Sequence, residues 1–327
     1  MRRFGPRPSR REFLGMMGLA VVGVACTKAK GTTGNPTPPA TGPSGAPGSI
    51  NALTAGAQQL SLLSTNTPVN PGKVLFGFDL STSAGGLVTA GSPQVWIAKD
   101  QTSPATGPFQ ATWHPFTAYA QTGDHSPKSP LPGTYAVVLD VPSTGNWLVA
   151  AVASAEANGG RAAGVGALPV TDAKVPAAIG SKAVSVPTPV GTTEAKLKQI
   201  CTREPPCHLH AVSLDAAFRN GKPTVVSFAT PLLCESQLCG PVVDEQILAS
   251  KSFGSKANFI HVEEFLPGPD LKPPAPTLAN QSPGFKAWSF STEPWVVVID
   301  RAGIVRARFE GPVTSPQIEA ALQDLLT

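Results

Sequence analysis

The chain has 327 residues, enough for about two domains, and its 25 Lys and Arg residues exceed its 21 Asp and Glu residues. The first 25 residues carry this whole excess, so the rest is neutral, which argues against binding to nucleic acid or to an acidic membrane surface. Beyond residue 25 no unbroken run of about 18 apolar residues occurs, which excludes a protein with several membrane-spanning helices. The 35 prolines and 32 glycines predict linkers and loop-rich β structure.

The N-terminal segment has the pattern of an export signal. Residues 1–12 are rich in arginine, and Phe13–Ala25 are all apolar or Gly, a run too short to span a bilayer as a helix. Residues 9–14, Ser-Arg-Arg-Glu-Phe-Leu, resemble the twin-arginine export motif. Residues 1–25 are therefore predicted to be a signal peptide of the twin-arginine and lipoprotein type.

Cys26 follows this segment at the place where a lipoprotein carries its lipid. Residues 23–26, Gly-Val-Ala-Cys, resemble a bacterial lipobox, although Gly23 stands where the family usually has Leu. The resemblance implies lipidation of Cys26, export, and anchoring to the outer face of the cytoplasmic membrane. A plain signal peptide cut near an unmodified Cys26 is the alternative. Residues 26–65 are predicted to form a flexible tether, because residues 27–50 are rich in Gly, Pro and Thr.

Residues 66–190 have the pattern of an all-β domain. Short apolar segments at 74–80, 94–98, 134–139 and 146–152 predict strands, and clusters of Pro, Gly, Ser and Asp separate them. No helical periodicity lies between these segments. The sequence therefore predicts a β-sandwich of immunoglobulin-like type, which would serve as a partner-binding or spacer module.

From about residue 196 the pattern changes to strands and helices. Residues 224–229 predict a buried strand, and the spacing of apolar residues over 241–253 predicts a helix. Three more strands and a final helix follow, at residues 258–265, 295–300, 304–309 and 315–326. Strand, helix, strand, hairpin and helix form the element order of the α/β thioredoxin fold, which is predicted for residues 196–327.

Local motifs strengthen this interpretation. Residues 239–241, Cys-Gly-Pro, are identical to the first three residues of the thioredoxin Cys-Gly-Pro-Cys motif. Residues 293–296, Glu-Pro-Trp-Val, stand where that family has a cis-proline before a core strand, and a hairpin with Asp300 and Gly303 follows. Residues 222–312 thus resemble the thioredoxin-like superfamily, in the exported branch that includes TlpA-type thiol–disulfide proteins and the peroxiredoxins.

The resemblance implies that Cys234 and Cys239 are the catalytic pair of a membrane-anchored thiol–disulfide oxidoreductase. Its partners would be protein or small-molecule thiols and disulfides, and it would need no cofactor or metal ion. Pro294 and Glu293 would contribute to substrate binding. The spacing departs from the family's Cys-x-x-Cys pattern, because four residues separate Cys234 from Cys239. Three acidic residues could act as proton acceptors for the reaction, and a solvated surface carboxylate is the alternative for each: Asp244, Glu263 and Glu264.

The wider spacing restricts where the two cysteines can lie. Five residues of an unbroken helix rise about 7.5 Å, whereas a disulfide needs Cα atoms within about 7 Å. We therefore expect Cys234 in the loop before the helix and Cys239 in its first turn, where the helix dipole lowers the pKa of a thiol. The position after the strand favours Cys234 as the nucleophile, whereas the following Gly-Pro favours Cys239, and both assignments stay open.

Two other functions fit the cysteine pair. The peroxiredoxin Q group has the same spacing, and residues 230–234, Thr-Pro-Leu-Leu-Cys, partly resemble its Thr-Pro-x-Cys segment. However, Glu293 and Pro294 stand where peroxiredoxins place the arginine that stabilises the peroxide. A non-enzymatic lipoprotein, in which the disulfides only stabilise a binding module, is the other alternative.

Cys201 and Cys207 precede the first strand of the predicted thioredoxin-like domain. Two prolines lie between them, and an exported protein with an even number of remaining cysteines predicts a structural disulfide in this loop. The alternative is a metal site, because His208 and His210 complete a Cys-x5-Cys-His-x-His pattern.

Overall fold

Eight strands in the first part of the chain form one sheet. The computed structural model describes residues 45–65, 67–116, 118, 132–155, 160–234, 238–267 and 281–326. The strands are β1 (Gln58–Ser64), β2 (Gly72–Ser81), β3 (Gln94–Ala98), β4 (Thr106–Gln110), β5 (Thr112–Pro115), β6 (Gly133–Val141), β7 (Gly145–Ala155) and β8 (Gly160–Val170). The predicted signal peptide, the predicted lipidation site Cys26 and the first part of the tether lie outside the described residues.

The strand β1 joins the two halves of this sheet, whose order is β4-β3-β7-β8-β1-β2-β6-β5. It pairs antiparallel with β2 and parallel with β8, so that Ser61 lies opposite both Ser81 and Val165. Because β4 and β6 also contact each other, the sheet curls around one apolar core. The prediction of an all-β region is confirmed, but the predicted immunoglobulin-like sandwich of two sheets is wrong, since β1 makes the sheet continuous.

The predicted tether extends too far toward the C-terminus. Residues 50–64 form the helix α1 (Ile50–Thr54), capped by the Ser49 side chain, and the strand β1. Ile50 and Leu60 are buried, and Leu62 packs against the core of the sheet. The Gly, Pro and Thr content that predicted the tether stops near residue 50, and the alternating leucines after it fit a strand.

A second sheet of four strands lies in the C-terminal part, in the order β10-β9-β11-β12. The strands are β9 (Thr224–Phe228), β10 (Asn258–Val262), β11 (Trp295–Ile299) and β12 (Val305–Glu310). β9 is parallel to β10, whereas β11 is antiparallel to both β9 and β12. Every residue of β9 and β11 is buried, so both faces of the sheet are covered.

Helices cover the two faces of this sheet. They are α2 (Glu194–Leu197), α3 (Leu214–Ala217), α4 (Cys239–Phe253), α5 (Pro283–Trp288) and α6 (Ser315–Leu326). On one face Val242 of α4 and Ile318 of α6 pack with Val296, and on the other Leu214 and Trp288 pack with Phe228. The predicted element order is present, and α5 is an addition that the sequence did not indicate. No helix in the described part of the chain is long and apolar enough to cross a membrane.

The strand-rich part and the C-terminal part belong to one compact unit, Pro43–Thr327. Thr67 Oγ1 donates a hydrogen bond of 2.6 Å to Glu310 Oε1, which also accepts one of 2.8 Å from Thr292 Oγ1. Lys182 pairs with Ile304 as an isolated bridge. The hydrogen bonds of Glu310 place the loop between β1 and β2 beside the end of β12 and the residues that precede β11.

Glu245 of α4 links this helix to two other segments. It is fully buried, and its carboxylate accepts hydrogen bonds from the backbone N–H groups of Ala118, at 2.7 Å, and Ser315, at 2.6 Å. We predict that Glu245→Ala lowers the free energy of unfolding by about 3 kcal/mol, because two buried donors lose their acceptor. Glu245→Gln keeps one acceptor and should lose less. Urea denaturation measures both, and an Ala variant within about 0.5 kcal/mol of wild type would contradict this role.

Candidate functional site

A disulfide lies at the turn between β9 and α4. Cys239 is the first residue of α4, and Cys234 lies in the preceding loop. Their sulfurs are bonded, and their Cα atoms are 5.9 Å apart, within the usual range for a disulfide. The structure therefore has the loop-and-helix placement that the helix-rise argument required.

The two sulfurs differ in exposure and in hydrogen bonding. Cys239 has no exposed surface, whereas Cys234 is half-buried. The backbone N–H of Cys239 donates to Cys234 Sγ at 3.2 Å. Because the N–H groups and the dipole at a helix N-terminus favour an anion, this contact would stabilise a Cys234 thiolate. Exposure and hydrogen bonding thus both favour Cys234, of the two assignments left open, as the sulfur that meets a partner.

A buried carboxyl group lies beside the disulfide. A carboxylate oxygen of Glu293 and both sulfurs lie within 4.8 Å of one another. Glu293 Oε2 is buried and has no hydrogen-bond partner among the described residues. Burial, together with the nearby negative charge of Glu264, raises the pKa of Glu293 to about 8, against a lowering by hydrogen bonds from Thr230. A carboxyl group with such a pKa can exchange a proton with a sulfur near neutral pH.

The residue after Glu293 completes this part of the site. Pro294 directly precedes β11, and the peptide bond that joins it to Glu293 is cis. The Pro294 carbonyl accepts a hydrogen bond of 2.9 Å from the backbone N–H of Gly311. The structure therefore brings the four residues predicted for catalysis and substrate binding into one region: Cys234, Cys239, Glu293 and Pro294.

The three carboxylates predicted as proton acceptors have other partners. Asp244 forms a buried ion pair with Arg203, with 2.7 Å between the carboxylate oxygen and Nε. Glu263 accepts hydrogen bonds from the backbone and side chain of Thr202. Glu264 accepts one from Gln281. Among the described residues, Glu293 is the acidic group gathered with the two sulfurs, and none of the other three belongs to that group. Asp244 and Glu263 are buried, so neither is the solvated surface carboxylate of the alternative.

Thr230, which the peroxidase alternative needs, is used inside the loop. It is fully buried, and its hydroxyl oxygen accepts hydrogen bonds from the backbone N–H groups of Glu264, at 2.8 Å, and Phe265, at 3.2 Å. Thr230 also forms hydrogen bonds with Glu293, through its side chain and its backbone. Its hydroxyl therefore holds the loop and Glu293 in place.

A cavity of about 330 Å³ lies between the first sheet and the segments that flank the disulfide. Asp79 and Leu63 line one wall, and Leu238, Thr292 and Glu293 line the other. Burial raises the pKa of Asp79 to about 7, against a lowering by its hydrogen bond with Thr134. Three acidic residues thus line the cavity, Asp79, Glu293 and Glu310, and near neutral pH a substantial fraction of Asp79 and most of Glu293 are protonated.

Cys201 and Cys207 are not joined in the structure. Their sulfurs are 3.8 Å apart, compared with about 2.05 Å in a disulfide, so the predicted structural disulfide is absent. His261 on β10 lies against both sulfurs, and a ring nitrogen of His210 is within 4.8 Å of them. His208 is exposed and contacts Ser250.

The sequence pattern does not indicate His261 as a metal ligand. It lies 54 residues after Cys207, and a hydrogen bond of 2.8 Å from its backbone N–H to the Leu209 carbonyl holds the cysteine segment beside β10. A histidine inside an otherwise apolar buried strand was the one signal in the sequence that could have found it.

Comparison with known proteins adds little to this geometry. No family model matches the chain, and no curated protein matches it. Among solved structures, the chain is similar to a thiol:disulfide interchange protein of the thioredoxin family from Chlorobium tepidum TLS, with 16% sequence identity and a TM-score of 0.27. The match covers 44% of this chain and 99% of that chain. This similarity is too low to assign a fold or an activity.

The raised pKa of Glu293 predicts how the free energy of unfolding changes with pH. Because its pKa is raised from 4.5 to about 8 on folding, the folded state holds the proton more tightly. Its contribution to the free energy of unfolding is therefore greatest at low pH and is lost as the pH rises from 4.5 to about 8. We predict that Glu293→Gln flattens the decline of stability across this window, measured by urea denaturation of the oxidised protein. The prediction would be contradicted if the free energies of unfolding of the variant and of the wild type fell in parallel as the pH rises.

Proposed function

We propose that this protein is a thiol–disulfide oxidoreductase that acts through Cys234 and Cys239. The observation that carries the proposal is the asymmetry of this disulfide at the start of α4, with Cys234 partly exposed, Cys239 fully buried, and Glu293 beside both sulfurs. The sheet order β10-β9-β11-β12 supports the thioredoxin-like fold that the sequence resemblance implies.

The reaction begins with the reduced pair when the protein acts as a reductant. The Cys234 thiolate attacks a partner disulfide, the partner S–S bond breaks, and one partner sulfur leaves as a thiolate that takes a proton from water. The product is a mixed disulfide between Cys234 and the partner.

Resolution uses the buried sulfur. The carboxylate form of Glu293, which a pKa of about 8 keeps in equilibrium with the protonated form, takes the proton of Cys239. Cys239 then attacks Cys234 Sγ, the bond between Cys234 and the partner breaks, and the second partner sulfur leaves as a thiolate that takes the proton from Glu293. The Cys234–Cys239 disulfide is restored. The partner gains two electrons and the pair loses two. The same steps in reverse oxidise a partner dithiol, and no cofactor takes part.

The surroundings of the pair supply the substrate-binding surface. Leu232, two residues before Cys234, is 55% exposed, which is unusual for a large apolar side chain and suits contact with an apolar partner segment. Glu293 and Pro294 border the same region, and the cavity gives an approach between the two sheets. The eight-stranded sheet would thus form one wall of the binding site. We propose protein or small-molecule thiols and disulfides as the partners.

We further propose that the enzyme is exported and held by lipid on Cys26 at the outer face of the cytoplasmic membrane. The resemblance of residues 9–14 to a twin-arginine motif and of residues 23–26 to a lipobox supports this location. The twin-arginine route carries folded substrates, which suits a protein whose thiols must pair correctly.

The two alternative functions have less support. A peroxidase would use Thr230 to activate the peroxide, but its hydroxyl is engaged by Glu264, Phe265 and Glu293. A disulfide with only a stabilising role would have no need for a buried carboxyl group within reach of both sulfurs. We therefore put forward thiol–disulfide exchange alone.

Trapping of the mixed disulfide tests this function. We predict that Cys239→Ser, incubated with oxidised glutathione, accumulates glutathione on Cys234, because the resolving sulfur is gone. Cys234→Ser should stay unmodified at Cys239, because that sulfur is buried. Mass spectrometry of peptides locates the adduct. A native Cys239→Ser protein that forms no adduct at Cys234 would contradict the proposal.

The role of Glu293 has a separate test. We predict that Glu293→Gln slows the resolution step by about 100-fold at about pH 8, where Glu293 is substantially a carboxylate, because Cys239 loses its proton acceptor. The preceding attack by Cys234 should be nearly unchanged and serves as the internal control. Rapid mixing with an activated disulfide separates the two phases. An unchanged resolution rate would assign Glu293 a structural role.

A further inference from the structure

The four side chains Cys201, Cys207, His210 and His261 form a second buried group of possible metal ligands. It lies next to the redox pair, since Cys201 and Cys207 pack in the same core cluster as Cys239. The exposed fractions of the four side chains are between 1% and 4%, and one possible ligand atom of each lies within 4.8 Å of all the others. We propose that these four residues bind a Zn²⁺ ion in a closed tetrahedral site. The inference does not depend on the proposed redox function.

The distance between the two sulfurs fits a shared metal ion. Zinc–sulfur bonds of about 2.3 Å in a tetrahedron place two sulfurs about 3.8 Å apart. Cys201 Sγ and Cys207 Sγ are 3.8 Å apart, too far for a disulfide. The backbone N–H of Cys207 donates to Cys201 Sγ at 3.4 Å, a contact that stabilises a thiolate.

His261 is oriented as a ligand. Its Nδ1 lies 3.3 Å from Cys207 Sγ and 3.8 Å from Cys201 Sγ, close to the sulfur–nitrogen separation of about 3.6 Å in a tetrahedral zinc site. Its Nε2 is 3.0 Å from the carbonyl oxygen of Ala229, so that the Nε2–H donates and the Nδ1 lone pair faces the sulfurs. A ligand histidine commonly fixes its other nitrogen in this way.

His210 supplies the fourth position. It is buried, and a ring nitrogen lies within 4.8 Å of the ligand atoms of the other three residues. Its Nε2 has no hydrogen-bond partner among the described residues, an unusual state for a buried histidine. Coordination of a metal ion by the His210 ring would account for the position of this side chain.

Charge favours zinc at this place. Two thiolates balance the two positive charges of Zn²⁺, and two neutral imidazoles add none, so the buried centre is neutral. Four protein ligands without an accessible position are typical of a structural zinc site. The ion would fasten residues 201–210 to β10, where the backbone N–H of His261 already donates to the Leu209 carbonyl at 2.8 Å.

Metal binding by the full chain tests the proposal. Cys26→Ser, Cys234→Ser and Cys239→Ser combined leave Cys201 and Cys207 as the only thiols. We expect this reduced protein to bind one equivalent of Co²⁺, with the visible absorption of tetrahedral cobalt and thiolate charge-transfer bands, and Zn²⁺ to displace it. Adding Cys207→Ser or His261→Ala should abolish the spectrum. Adding His208→Ala, which changes the exposed neighbouring histidine, should leave it intact.

A second measurement covers variants that fail to fold. In the triple variant itself, Zn²⁺ should protect Cys201 and Cys207 from alkylation, and a chelator should remove the protection. The proposal would be overturned if the folded, reduced protein bound neither Co²⁺ nor Zn²⁺. It would also be overturned if the His261→Ala variant bound these ions as well as the His208→Ala variant does. Isolation of the native protein with a Cys201–Cys207 disulfide and no bound zinc would also overturn it.

Discussion

The burial of β9 and β11 on both faces is the constraint on which the rest of the C-terminal part depends. These two strands pair with each other, and every residue in them is buried. Such strands need cover on both sides, so α4 and α6 pack on one face while α3 and α5 pack on the other. The chain therefore has to turn sharply after β9 to reach α4, and that turn carries the disulfide.

The end of β9 organises both candidate sites. The Ala229 carbonyl accepts from His261, which orients that ring toward Cys201 and Cys207. The next residue, Thr230, holds Glu293 and the loop after β10. Cys234 follows four residues later. One short segment thus positions groups of both sites. Ala229 orients His261 of the cysteine and histidine cluster, and Thr230 holds Glu293 beside the redox pair.

Local sequence patterns predicted most of the elements but few of the long-range contacts. The apolar run of β9, the helical spacing of α4 and the limit on helix rise correctly placed Cys234 in a loop and Cys239 in the first turn. The pairing of β1 with both β2 and β8, and the approach of His261 to Cys207, depend on residues far apart in the chain. No spacing rule reports such contacts, so the sandwich and the Cys201–Cys207 disulfide were predicted incorrectly. For the same reason Glu293 was predicted for substrate binding and not as the acidic group beside both sulfurs.

The reduction potential of the Cys234–Cys239 pair tests the central claim most directly. It can be measured in glutathione buffers by thiol trapping, with mass spectrometry to distinguish this pair from Cys201 and Cys207. The account predicts a value between about −120 and −270 mV, the range of known exchange proteins. A value below about −300 mV, typical of structural disulfides, would contradict it and leave a binding protein stabilised by its disulfide.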